Sequence, residues 1–199
     1  DLYTVLTKDP FFTVPVQTAA QARGRDLFAH KCMTCHNTPN VFSNVEHVPG
    51  SPLNFAPRHG HAFDIGVAQR NLHQLDFRAF VCTTAPTSPP GPCPTRQLTR
   101  LTLPLAREDG TRVDYVVEAD PGSAGSTGRY EDLFRFKVPQ LRRISELGPY
   151  FHDNTAATLE EVVDYFSSSS YNNSADGRRA PIYLDSSQKQ DLLAFLRIL

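Results

Sequence analysis

The chain has 199 residues, 40% of them hydrophobic, with 20 Lys and Arg against 21 Asp and Glu for a formal net charge of −1. That length suits one domain with elaborations around a packed core. The balanced charge, with no Lys/Arg-rich run, excludes a nucleic-acid binder, and the lack of any long apolar run excludes a membrane-spanning helix.

Residues 1–15 read as an extended arm, with Phe11 and Phe12 beside Pro10 laid as a strap over the protein's own core. The main domain runs over 16–199, with an insertion at about 77–130. From Val16 to Lys31, Ala20, Gly24, Leu27 and Phe28 recur at three- and four-residue intervals, one face of a helix. Gly24 removes a side chain from that face, which lets another backbone come close.

At the exit of this helix stands Cys32-Met33-Thr34-Cys35-His36. Two thiols at this spacing can bond to the vinyl groups of one haem while the following imidazole ligates its iron, so the stretch reads as a c-type haem site. A zinc site would want a second ligand pair at comparable spacing, and a thioredoxin-like pair would want a βαβ setting. The remaining cysteines, Cys82 and Cys93, lie in a Pro-rich loop and do not supply that second pair. Haem attachment to such a motif follows export. With no leader segment, Asp1 reads as a mature or trimmed terminus and the compartment as periplasmic or extracellular.

Between the motif and the insertion, His47, His59, His61 and His73 fall in loops or short helices. Singly each reads as a surface imidazole, and together they are candidates for an iron ligand. In an oxidising compartment Cys82 and Cys93 read as a disulfide worth about 2 to 3 kcal/mol for so short a loop, with a reactive thiol pair as the alternative. Leu98, Leu101, Leu103 and Leu105 before Asp109-Gly110, with Val113, Tyr115 and Val117 after it, predict a β-hairpin. Such a ribbon must lie against the helical body or a partner. Pro121 to Gly128 reads as a flexible connector.

Pro139 and Pro149 bracket Gln140 to Leu147, long enough for two helical turns. Thr158 and Glu161 form a capping box opening a helix through about Phe166. Ser167 to Arg179 is a polar loop. Asp185 and Gln188 then open a terminal helix whose apolar stripe is Leu192, Leu193, Phe195, Leu196 and Leu199.

Gly24-x-x-x-Phe28 before the haem motif, with Leu192-x-x-Phe195-Leu196 in a terminal helix, resembles the crossed terminal helices of class I cytochromes c. In that family the glycine is where the helices touch. The resemblance implies a mainly α, class I cytochrome c-like helical haem domain, here with an inserted β-hairpin and long loops.

Phe136-Lys137-Val138-Pro139-Gln140-Leu141-Arg142, then Gly148-Pro149-Tyr150-Phe151-His152-Asp153, then Thr158-Leu159-Glu160-Glu161-Val162-Val163 are similar to the C-terminal haem domain of the bacterial di-haem cytochrome c peroxidase and MauG family. Its pattern runs F-K-V-P-x-L-R, P-Y-F-H-D-G and T-L-E-E-x-V. Those enzymes carry a second haem motif in a preceding domain, whereas this sequence has one.

By this resemblance Arg142 matches an arginine near the haem propionates, against a plain reading as a solvated charge. His152 either sits near the haem edge, bonding a propionate or a backbone carbonyl, or simply holds its turn. Leu147 and Pro149 match a region whose carbonyls help bind calcium between two domains, so the resemblance raises calcium as a second cofactor, while the absence of that other domain argues against it. The family's electron-transfer methionine falls at Phe166, where MauG-like members have a tyrosine. Met33 is the sole methionine and lies in the proximal loop. The sixth ligand is then Tyr165, or a histidine such as His59, His61 or His73, or the site is open and lined by Phe166.

Three functions follow. The first is a cytochrome passing single electrons through one covalent haem, alone or within a larger redox complex, with a redox protein as partner and no catalytic residue. The second is a peroxidase-like or MauG-like component with an open or tyrosine-ligated iron, although no Glu or Gln can be assigned to peroxide cleavage. The third is a ligand sensor or structural haem subunit. Losing methionine as axial ligand should lower the reduction potential.

Overall fold

The computed structural model describes residues 14–36, 62–69, 78–82 and 96–199, and Phe11, Phe12, His47, His59, His61, His73 and Cys93 lie outside them. Helix α1, Ala19–Lys31, starts behind Thr18, whose hydroxyl accepts from the Gln21 N–H while the Gln21 side chain accepts from the Thr18 N–H. This capping box places the first turn three residues later than the apolar spacing alone, which began at Val16.

The terminal helix, Ser186–Leu196, opens on the predicted Asp185 and Gln188 box. The two helices touch at Gly24, where a β-carbon would lie 1.9 Å from the Asp191 carbonyl oxygen and 2.8 Å from Phe195 Cβ. Only glycine lets the backbones come this close. Arg23 Nε and Nη2 donate to both oxygens of Asp191 at 2.7 and 2.8 Å, which clasps the crossing from outside. Beneath it Phe28 and Phe195, 1% and 0% exposed, pack ring to ring at 5.5 Å. Burying each such ring contributes about 1.5–3 kcal/mol.

Short helix α2, Ala124–Thr127, precedes α3, Leu159–Phe166, and α4, Ser169–Asn172, so the terminal helix is α5. Leu159 and Val163 of α3 join Phe28, Met33, Leu192 and Phe195 in the main core cluster, and Val14, Val16, Leu141 and Ile144 pack on its rim. Thr158 caps α3 by accepting from the Glu161 N–H, but the Glu161 carboxylate accepts from Ala157 rather than from Thr158, so the box is displaced by one residue. The described residues are mainly helical with a few short strands, and among them no helix is long and apolar enough to cross a membrane.

The strands are β1 Ala62–Phe63, β2 Arg78–Cys82, β3 Arg96–Arg100, β4 Thr102–Ala106, β5 Arg112–Val116 and β6 Phe136–Lys137, forming antiparallel pairs β1–β6, β2–β3 and β4–β5. The predicted hairpin is β4–β5, with Leu103 opposite Tyr115 and Leu105 opposite Val113. Asp109 Oδ1 accepts from the Thr111 N–H and hydroxyl, and Gly110 takes φ 84°. The hairpin lies on the body of its own chain: Tyr115 meets Phe134 edge-on at 6.0 Å, Arg107 sits 4.3 Å over the Tyr130 ring, and Ala106 N donates to Gly128 O. Leu98 belongs to the separate ribbon β2–β3, where its backbone stands opposite Phe80.

Three expectations are corrected. Gln140 to Leu147 is not a two-turn helix but a single 3-10 turn, Ile144–Glu146, because Arg143 before it adopts φ 58° and donates its N–H to the Leu199 carbonyl. Pro121 to Gly128 is built rather than flexible. Gly122, at φ 60°, lies against Arg135, the N–H and hydroxyl of Ser123 both donate to Arg135 O, and α2 follows. Ser167 to Arg179 is anchored by α4 and by Tyr171, Asn172 and Asp176, which are 3%, 8% and 2% exposed. Asn172 brackets Ile182 as a strand would, its amide donating to the Ile182 carbonyl and its oxygen accepting from the Ile182 N–H.

Candidate haem site

Cys32 caps α1, its N–H donating to Phe28 O at 2.8 Å, and its own carbonyl accepts from the N–H groups of Cys35 and His36 at 3.1 and 2.9 Å. One turn therefore carries both thiols and the imidazole. Met33, between them, points into the core at 0% exposure beside Phe28. The His36 ring lies 6.3 Å from Phe28. Both cysteines are free, and burial pushes their thiols up to about 12, Cys35 further so by Cys32 and Asp176. They are neutral thiols, not poised thiolates.

Cys32 packs against the main core, whereas Cys35 packs against Phe63 and Val138 with Ile65 and Ala180. Ile65 also borders a cluster of Val67, Tyr165, Tyr171 and Ile182, on which Phe136, Phe151, Phe166 and Leu184 pack. Its rings pack largely edge to face, Phe151 with Tyr165 at 5.1 Å and Phe166 with Tyr171 at 5.0 Å. Burial raises the Tyr171 phenol, and the proximity of Cys35 and then Cys32 raises it further, which puts this ring within electrostatic reach of both sulfurs. An apolar, aromatic wall beside two unpaired thiols and an adjacent imidazole fits a tetrapyrrole held by two thioethers. Among the described residues no three His, Cys, Asp or Glu side chains converge as a metal cage would require.

The distal candidates are placed as follows. Tyr165 is 6% exposed and its hydroxyl donates to the Ile65 carbonyl at 2.7 Å. Phe166, half-buried, meets Tyr165, Phe151 and Tyr171. Gly66 lies against the Tyr165 hydroxyl, since a β-carbon there would be 3.1 Å from it. Gly66 also lines a cavity of about 520 Å³ with Asp64, Ser170, Asn173, Ser174 and Arg178. His59, His61 and His73 lie outside the described residues, as does Cys93, while Cys82 ends β2.

His152 makes a contact that neither sequence reading foresaw. Its Nε2 stands 3.3 Å from Asp120 Oδ2, and its ring stacks on Phe136 at 3.9 Å and 24°. The bond thus runs from the insertion to the Pro-Tyr-Phe-His-Asp loop. In that loop Asn154, where the family pattern has glycine, takes φ 60°, a conformation asparagine tolerates better than most residues. Arg142, Leu147 and Pro149 are exposed, with Leu141 beside Arg142 packed on the core.

Sequence reasoning missed Tyr171, Arg135 and Asp176. An aromatic residue and an acid inside a Ser/Asn-rich run were the available signal. Arg135 Nη1 lies 3.1 Å from Asp176 Oδ2, and burial pushes the neighbouring Asp64 carboxyl up while the Gly66 N–H pulls it down.

No family model matches the chain. It is similar to a cytochrome-c peroxidase, IdrP1, of Denitromonas iodatirespirans, 34% identical over 95 residues, or 46% of this chain and 24% of that protein. An IdrP1 of Pseudomonas sp. (strain SCT) is 26% identical over 183 residues, 90% of this chain and 40% of that one. A cytochrome c551 peroxidase of Nitrosomonas europaea is 51% identical over 43 residues, covering 22% and 13% of the two chains. This chain therefore spans well under half the length of these relatives. A crystal structure of a MauG-like protein associated with microbial copper homeostasis superposes with a TM-score of 0.49 at 23% identity, covering 92% of this chain and 47% of the other. In sequence, the chain is similar to bacterial cytochrome c peroxidases over part of their length.

Proposed function

We propose that this chain binds one haem covalently through Cys32 and Cys35, with His36 as proximal ligand, and transfers single electrons to and from a redox protein, alone or as part of a larger complex. The observation that carries the reading is the turn after α1, where Cys35 and His36 both bond back to Cys32 O beside an apolar and aromatic wall. Once bound, the haem supplies one-electron chemistry at its iron. The chain's own residues do the rest: Cys32 and Cys35 fix the ring in position, Phe63, Val138 and Ile65 keep water from one edge, and Phe151, Tyr165 and Phe166 present a wall without a methionine sulfur. The crossing of α1 and α5 at Gly24 supports a class I cytochrome c-like arrangement.

The compartment proposed is periplasmic or extracellular, where thioether formation and a Cys82–Cys93 disulfide are both compatible with the redox conditions. Arg142 is proposed at a haem propionate, and calcium near Leu147 and Pro149 would need a further domain. The test is mass analysis of the purified chain with visible spectra of both oxidation states. Covalent tetrapyrrole mass and a low-spin reduced spectrum are expected, and protein mass alone would overturn the reading.

A second reading, a peroxidase-like or MauG-like component with the iron open or met by Tyr165, is favoured by the polar cavity that Gly66 lines next to the Tyr165 hydroxyl. Ready binding of carbon monoxide by the reduced protein would select it over the carrier.

A further inference from the structure

The cavity of about 520 Å³ beside Gly66 carries one acid, Asp64, and one base, Arg178, among its lining residues. Asp64 is half-buried and Arg178 is exposed. No ion pair joins the two side chains among the described residues. Each is only partly committed: Asp64 Oδ1 accepts from the Gly66 N–H at 3.0 Å, and Arg178 Nη1 donates to the Asn173 carbonyl at 3.1 Å. Asp64 Oδ2, the Ser170 hydroxyl, the Asn173 carboxamide and Arg178 Nε and Nη2 take no partner among the described residues.

The backbone fixes both walls. The Asp176 N–H donates to Asp64 O at 3.0 Å and the Asp64 N–H donates to Asp176 Oδ2 at 2.8 Å, which pins the segment carrying the acid. On the other wall the Ser174 hydroxyl donates to Tyr171 O and accepts from the Gly177 N–H, and the Arg178 N–H donates to Ser174 O. Gly66 keeps the space between them clear, since a β-carbon there would stand 3.2 Å from both Ser170 O and Ser174 Cβ. Burial raises the Asp64 carboxyl, and the Arg178 charge is among the influences that oppose it, so the base is within electrostatic reach of the acid. An acid and a base held near each other without bridging are preorganised for a ligand that brings both opposite charges.

We propose that this cavity binds a small zwitterion of the α-amino-acid kind, its ammonium on Asp64 and its carboxylate on Arg178, with Ser170 and Asn173 serving a short polar side chain. Arg178 presents its remaining N–H donors to the carboxylate, the geometry in which a guanidinium binds best. An ammonium beside Asp64 favours the ionised carboxyl and offsets the effect of its burial. The site is independent of the haem reading.

The test is titration of the purified, isotope-labelled full chain with L-serine, followed by NMR at the Asp64, Gly66 and Ser174 amides. Acetate and ethanolamine serve as the two single-charge halves. Saturable shifts with a dissociation constant on the order of millimolar are expected for L-serine, given so few ligand atoms, and at least about ten-fold weaker binding for either half. Arg178→Gln and Asp64→Asn should each weaken L-serine by about ten-fold, because each removes one charge-assisted bond. Asp64→Asn retains an oxygen for the Gly66 N–H. Glu146→Gln, on an exposed ion pair with Arg143, should change nothing. Acetate binding as tightly as L-serine would mark a plain anion site and overturn the proposal, as would shifts that never saturate or that survive both substitutions. The halves are titrated into the unaltered chain, so that outcome is read even where a substitution prevents folding. Covalent haem mass and the visible spectrum stand or fall separately.

Discussion

A side chain on residue 24 and the main chain of Asp191 cannot occupy the space they share: a β-carbon on Gly24 would sit 1.9 Å from the Asp191 carbonyl oxygen. Gly24→Ala gains helix propensity of about 1 kcal/mol, yet it must push α1 and α5 apart over their Phe28 and Phe195 contact. Overpacking of this kind costs about 1–3 kcal/mol and sometimes more. A net loss of about 2 kcal/mol is expected in urea unfolding. An unchanged midpoint would mean that the helices do not cross here.

The same crossing has a pH signature. The Arg23 hydrogen bond holds the Asp191 carboxyl below its ordinary value, with burial opposing. A depressed carboxyl contributes stability that is present above its unfolded value of about 3.9 and is lost as pH falls through the folded one. In Arg23→Gln the hydrogen bond and charge go, so the variant lacks this contribution above about pH 3.9 and meets acid with less stability to lose. Acid unfolding followed by circular dichroism should show the variant's midpoint above that of the unaltered chain.

Leu105, 2% exposed, is the hairpin's deepest anchor. Leu105→Ala should cost about 2–5 kcal/mol if the β4–β5 ribbon folds with the body as one unit. Hydrogen exchange would show the Thr102–Ala106 amides losing protection together with α5. Loss confined to the ribbon would mark it as an independent appendage.

Tyr165→Phe removes the donor to Ile65 O and leaves that carbonyl without its 2.7 Å partner. A stability loss of about 1–3 kcal/mol is expected, with the ferric visible spectrum unaltered. A spectral change in this variant would identify the phenol as an iron ligand.

The parts legible in the sequence were those with local signatures. Period and caps announced α1, α3 and α5, the Asp109-Gly110 turn announced β4–β5, and the thiol and histidine spacing announced the haem motif. Elements that exist only through distant partners were not legible. β1 and β6 are two residues each and form because Phe63 meets Phe136 across the fold. The run of leucines from 98 to 105 obscured a change of partner, since Arg96–Arg100 pairs with β2 and Thr102–Ala106 with β5. The Arg135 and Asp176 pair joins residues 41 positions apart, and charges reveal nothing of such pairings until the chain is folded.

The contact between α1 and α5 joins residues 168 positions apart, and much of the core depends on it. Loop-closure entropy must be overcome before that contact contributes. A ribosome that has released everything up to Tyr183 has therefore made a chain whose Phe28 still has no Phe195 to meet, and whose thiols stand on a helix not yet clasped. A polypeptide emerging from an export channel should likewise stay protease-sensitive until α5 follows, a window in which the two sulfurs are still accessible to attachment chemistry.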